Sequence, residues 1–236
     1  MFRTKTILVL GIFALLMCCG VAYAADKSGK TAISLFDTIK NGGIIGFFII
    51  LLSVASLALT IEHAITIRRD ALVPPELLGH LESLFEDEEY EEAMTLCEST
   101  PNFLTNVIAA GLPKIGQGYE AIEAAMQEAG ENEAVKLNQK ISYLSLIANI
   151  APMMGLFGTV IGMIMAFNVI ARSEAAPSPA KLAGGISVAL VTTALGLFVA
   201  IPTMCFYFFF RNRVMRVVME VATISEELME RFRPAE

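Results

Sequence analysis

The chain has 236 residues, 55% of them hydrophobic and 17% charged, where a soluble domain carries about a quarter charged. That composition belongs to a membrane protein. The net charge of -7 is concentrated between Glu76 and Glu133, which argues against a nucleic-acid partner. With no Trp in the chain, interfacial aromatics must come from Tyr and Phe, as in the run Phe206 to Phe210.

Residues 1–24 read as a secretory signal peptide: Arg3 and Lys5, an apolar run from Ile7 to Cys19, then the small-x-small site Ala22-Tyr23-Ala24. The alternative is an uncleaved span, for which the run is short. Residues 25–41 read as an external lead whose Ile33, Leu35, Phe36 and Ile39 predict an amphipathic piece on the membrane surface. Residues 42–61 carry no charge and predict the first transmembrane helix. Glu62, His63, Arg68 and Arg69 follow it, and the positive-inside rule puts them in the cytoplasm.

Residues 62–140 turn polar and predict a helical cytoplasmic domain. Pro74-Pro75 opens a helix over Glu76 to Phe85, with Leu77, Leu78, Leu81, Leu84 and Phe85 at helical spacing. A second helix is expected over Glu86 to Ser99, its acidic run a solvated face. Tyr119 to Lys140 predicts another, running into the membrane. Cys97 and Cys205 have no metal-type spacing and read as buried structural thiols. His63 and His80 are solitary, so neither suggests a metal or acid-base centre, and nothing in the chain resembles a cofactor fingerprint or a catalytic triad. No enzyme, cofactor or catalytic residue is therefore expected.

Residues 141–170 and 182–210 predict the second and third transmembrane helices, joined by a short periplasmic loop over 171–181 containing Pro177 and Pro179. Both uncharged intervals exceed the roughly 20 residues that cross a bilayer, so these helices are expected to tilt or project. Residues 211–236 begin with Arg211, Arg213 and Arg216 on the cytoplasmic side. They continue as a helix whose stripe Val214, Val217, Val221, Leu228 and Phe232 needs partner helices.

Both long spans carry small residues at helical spacing. In the second, Gly155, Gly158 and Gly162 share a face with Pro152 nearby; in the third, Gly185, Ala189, Thr193, Gly196, Ala200 and Thr203 advance by three or four, followed by Pro202. One reading is helix packing, each Thr bonding a carbonyl one turn back. The other is that Thr159 and Thr193, with Thr192 at the margin, line an internal channel, because a hydroxyl both donates and accepts. No Asp, Glu, Lys, Arg or His lies inside any of the three spans, although intramembrane ion relays ordinarily need one.

The runs Ile150-Ala151-Pro152, Gly155 to Met163, Gly185-Ile186-Ser187, Thr192 to Leu197 and Ala200-Ile201-Pro202 resemble the ExbB/TolQ/MotA proton channel family, ExbB most of all. The resemblance implies an all-α inner-membrane protein with three spans, the N-terminus periplasmic and the C-terminus cytoplasmic. It also implies a homopentamer whose second and third helices surround an ExbD-like single-span partner bearing a membrane Asp. By that resemblance Thr159 and Thr193 face the partner's Asp, and proton inflow drives a TonB-like protein serving outer-membrane transport. Val188 stands where such proteins place a Glu, five residues before the Thr, which leaves the partner's Asp as the relay. The competing expectations are an oligomeric scaffold without conduction and a TolQ-like motor for envelope integrity.

Overall fold

The computed structural model describes residues 35–233 other than 174, 175 and 177. The signal-peptide reading and most of the 25–41 lead lie outside them. Among the described residues every regular element is helical, as the helical spacing and the resemblance imply, and three helices are long and apolar enough to cross a membrane. The elements are α1 (Leu35–Thr66), α2 (Arg69–Leu72), α3 (Pro75–Glu86), α4 (Tyr90–Ser99), α5 (Phe103–Gly111), α6 (Tyr119–Ala171) and α7 (Pro179–Met229). Short 3₁₀ turns cover Leu112–Gln117 and Glu230–Phe232. At 53 and 51 residues, α6 and α7 are each far longer than the roughly 20 needed to span.

The chain divides into two compact units. Among the described residues, one comprises 35–60 together with Leu144–Phe206, and the other comprises Ile61–Tyr143 and 207–233. In the first, the membrane unit, α1 is broken at Gly43, whose φ of 59° and ψ of -154° are open to glycine and costly for any side chain. The apolar span proper runs Gly43–Thr66. Ile45 and Ile49 of this span pack with Ile147 and Ala151 of α6 and Val199 and Ala200 of α7. The outward residues of α6, such as Leu156, Val160 and Ile164, are exposed and apolar, as a lipid- or helix-facing surface must be.

The second unit is built like a small soluble helical domain. Pro75 starts α3 at its first turn, where a missing N–H costs nothing. Asn102 caps α5 through a reciprocal capping box, its Oδ1 accepting from the Thr105 N–H at 3.0 Å while Thr105 Oγ1 accepts from the Asn102 N–H at 2.8 Å. Leu81, Phe85, Cys97, Leu104, Ile108 and Ile122 are buried in this unit, and so are Val214, Val217, Val221 and Leu228 of α7, so most of the expected C-terminal stripe is covered.

Two expectations are corrected here. The acidic run does not continue one helix from Glu86: residues 87–89 form a turn with Glu88 at φ 62°, and α4 starts at Tyr90. The turn lets the Tyr90 ring fold back to 5.7 Å from Phe85 and 5.4 Å from Phe232. Arg231 closes the same corner, donating to the Phe85 carbonyl with its guanidinium 5.8 Å over that ring. The second correction concerns the thiols. Cys97 is buried, but Cys205 is exposed on α7.

Candidate functional site: the glycine and threonine seam of α6 and α7

Within the membrane unit α6 and α7 meet along the small residues singled out from the sequence. A Cβ on Gly162 would lie 2.5 Å from the Gly185 carbonyl oxygen and one on Gly185 2.6 Å from that of Gly162, so each glycine admits the other's backbone. Gly196 faces the Ala151 carbonyl in the same way, at 2.6 Å. Gly155 lies under Thr193, whose Cα would be 3.1 Å from an added Cβ. In hydrocarbon such close approach supplies the association that hydrophobic burial supplies in water. Ala189 and Ala200 are buried within this unit, while Pro152 and Pro202 are half-buried inside their helices.

The three threonines of the candidate channel surface occupy different environments. Thr192 is fully buried on Gly158, with no room for a Cβ between them, and its Oγ1 donates back to Val188 O (2.9 Å) or Ala189 O (3.1 Å). Thr193 is half-buried, its Oγ1 shared between Ala189 O at 3.1 Å in its own helix and Gly155 O at 3.4 Å across the seam. Thr159, also half-buried, donates to Leu156 O at 2.6 Å. Each hydroxyl thus holds its proton on a backbone carbonyl and keeps oxygen lone pairs for an incoming donor.

The sequence reading missed a second polar cluster. Ser56 Oγ lies 2.6 Å from Thr203 Oγ1, and Thr203 donates to Val199 O at 2.7 Å, so the shared proton belongs to Ser56. Thr60 donates to Ser56 O at 2.7 Å. All three side chains are buried. The four-residue spacing of Ser56 and Thr60 in an otherwise apolar span was the available signal. Asn149 is a further polar residue on α6, exposed, with its amide donating to Ser145 O at 2.8 Å.

Outside the membrane unit His63 is buried, its Nε2 3.1 Å from Lys140 O and its ring edge-on to Phe210 at 5.8 Å. It works there as a packed, hydrogen-bonded residue.

The family model described as the MotA/TolQ/ExbB proton channel family matches residues 99–223. An ExbB homologue of Methanothermobacter thermautotrophicus is 30% identical over 183 residues, covering 77% of this chain and 64% of that protein. The Tol-Pal system protein TolQ of Pseudomonas aeruginosa is 35% identical over 108 residues, covering 46% of each. The match thus spans roughly half to two thirds of these relatives. A chain in the structure of C. jejuni MotAB shares the fold, with a TM-score of 0.61 at 17% identity over 98% of this chain and 90% of that one. With its three apolar helices and a family match across more than half its length, the chain belongs to the MotA/TolQ/ExbB proton channel family.

Proposed function

We propose that this chain is the pore-forming subunit of an inner-membrane proton channel that couples the proton motive force to a TonB-type outer-membrane transport system. The observation that carries the reading is the pairing of two half-exposed hydroxyls, Thr159 and Thr193, with stretches 42–61, 141–170 and 182–210 that hold no Asp, Glu, Lys, Arg or His. A relay through such a surface needs a carboxylate from elsewhere, and an ExbD-like single-span protein with a membrane Asp supplies one. Thr159 and Thr193 then solvate that carboxylate as it gains and loses its proton, and the buried Thr192 fixes the helix spacing that presents them. Val188 leaves the partner's Asp as the sole titrating group.

The assembly in this reading is a homopentamer in the lipid bilayer, with α6 and α7 around the partner span and a TonB-like protein as the recipient of work. Arg68, Arg69, Arg211, Arg213 and Arg216 favour a cytoplasmic second unit and C-terminus, with the N-terminus periplasmic. A TolQ-like motor for envelope integrity is the second reading, favoured by the identity with TolQ.

The test is the native mass of the complex extracted in detergent, with identification of whatever copurifies. Five copies with a small single-span protein bearing one membrane Asp is the expected result. A homo-oligomer with no such partner favours the scaffold without conduction. Deletion phenotype separates the remaining two: lost TonB-dependent uptake supports the first reading, leakage of the envelope the second.

A further inference from the structure

We propose that a cleft in the second unit is a binding site for a small amphiphilic amine, an apolar body that ends in an ammonium group. The cleft lies between α5, the first half of α6 and the last turns of α7, with a volume of about 350 Å³. That is within the range of about 300–1,000 Å³ over which proteins hold small ligands. Its floor is apolar, made by Phe103, Val107, Met126, Val221 and Met229, and the two methionines give it an adaptable surface.

The polar groups point to the rest of the ligand. Ser225 lines the cleft and is only 3% exposed, yet its Oγ has no hydrogen-bond partner among the described residues. A serine inside a helix ordinarily returns its proton to the carbonyl one turn back, as Thr203 and Thr223 do here. The Ser225 hydroxyl instead stands buried and unpartnered in the cleft wall. The exposed carboxylates Glu123, Glu131 and Glu226 also line the cleft, and no Lys or Arg among the described residues does. Arg233 stacks 5.7 Å over the ring of Tyr119, a lining residue. Glu131 accepts from the neutral Gln127 amide at 3.0 Å, whereas the Glu123 and Glu226 carboxylates have no hydrogen-bond partner among the described residues. An apolar floor, one buried hydroxyl and an acidic rim select a cation with a short hydrophobic body over a neutral or anionic one.

The test uses the assembled complex in lipid nanodiscs, titrated with 4-phenylbutylamine, its neutral analogue 4-phenylbutanol and the anion 4-phenylbutanoate, with binding read by saturation-transfer NMR. The amine is expected to saturate at least fivefold tighter than the alcohol, with the carboxylate weakest. Ala222→Leu, at an exposed lining position, is expected to weaken the amine at least tenfold without harm to the fold. The Glu123→Gln, Glu226→Gln double variant should bring the amine to the level of the alcohol. Equal affinities for all three probes would overturn the proposal, and so would amine binding indifferent to Ala222→Leu, which marks uptake by lipid. Absence of saturable binding would also overturn it, whether water fills the cleft or a polypeptide covers it, the latter revealed by cross-linking from Ala222→Cys.

Discussion

Thr192 rests directly on Gly158, which has no space for a Cβ. Gly158→Ala therefore forces α6 and α7 apart, at a cost of about 1–3 kcal/mol. The measurement is the thermal midpoint of the extracted complex, which should fall, and Thr192→Ala should restore part of it in the double variant. Gly79→Ala is the internal control. A Cβ there meets nothing within 4 Å inside α3, so the change is expected to be neutral or stabilising by up to about 1 kcal/mol.

The Ser56 to Thr203 hydrogen bond ties α1 to α7 in the membrane unit. Hydrogen bonds between transmembrane helices are worth about 0.6 kcal/mol on average, because the separated helices find other partners. A double-mutant cycle with Ser56→Ala and Thr203→Val should return a coupling of about that size. A coupling near zero would mean that Thr203 is satisfied by Val199 O alone.

Gly43 carries a left-handed backbone with open space around it. Gly43→Ala is expected to cost about 1–3 kcal/mol through strain alone, with no steric component. The check is thermal denaturation beside Gly79→Ala, whose helical φ predicts the opposite sign.

Burial pushes the Cys97 thiol from its ordinary 9.0 up to about 11, with Glu98 adding a smaller push. At pH 8 the thiolate fraction falls to about one in a thousand, against about one in ten for an ordinary thiol, so alkylation of the folded protein should be slow. The sign for stability follows. The fold favours the neutral thiol, so its contribution is intact below pH 9 and is lost as pH rises toward 11. Alkylation faster in the folded than in the unfolded chain would contradict this.

The three spans and the helical second unit were legible because long uncharged runs and 3.6-residue apolar spacing leave few alternatives. The seam was legible too, since Gly155, Gly158 and Gly162 can share a face only as a helix. Which neighbour each hydroxyl meets was not. Periodicity assigns Thr203 to a face, but its pairing with Ser56 depends on how α1 packs, which no local pattern encodes. The turn over 87–89 was hidden because Glu, which dominates the run, is a good helix former, and the ring contacts of Tyr90 with Phe85 and Phe232 overrode that preference. The cleft beside Ser225 arises where three segments distant in sequence leave a gap, and no single stretch records it.

Proton flux through the reconstituted complex tests the central claim most directly. Thr159→Val and Thr193→Val keep the volume and the helix while removing the hydroxyls proposed to face the partner's carboxylate. The measurement is pH-gradient-driven uptake in liposomes holding the chain and its Asp-bearing partner, with native mass confirming assembly. Each single variant is expected to cut flux severalfold, and the double variant to abolish it in a fully assembled complex. Undiminished flux in an assembled double variant would contradict the account.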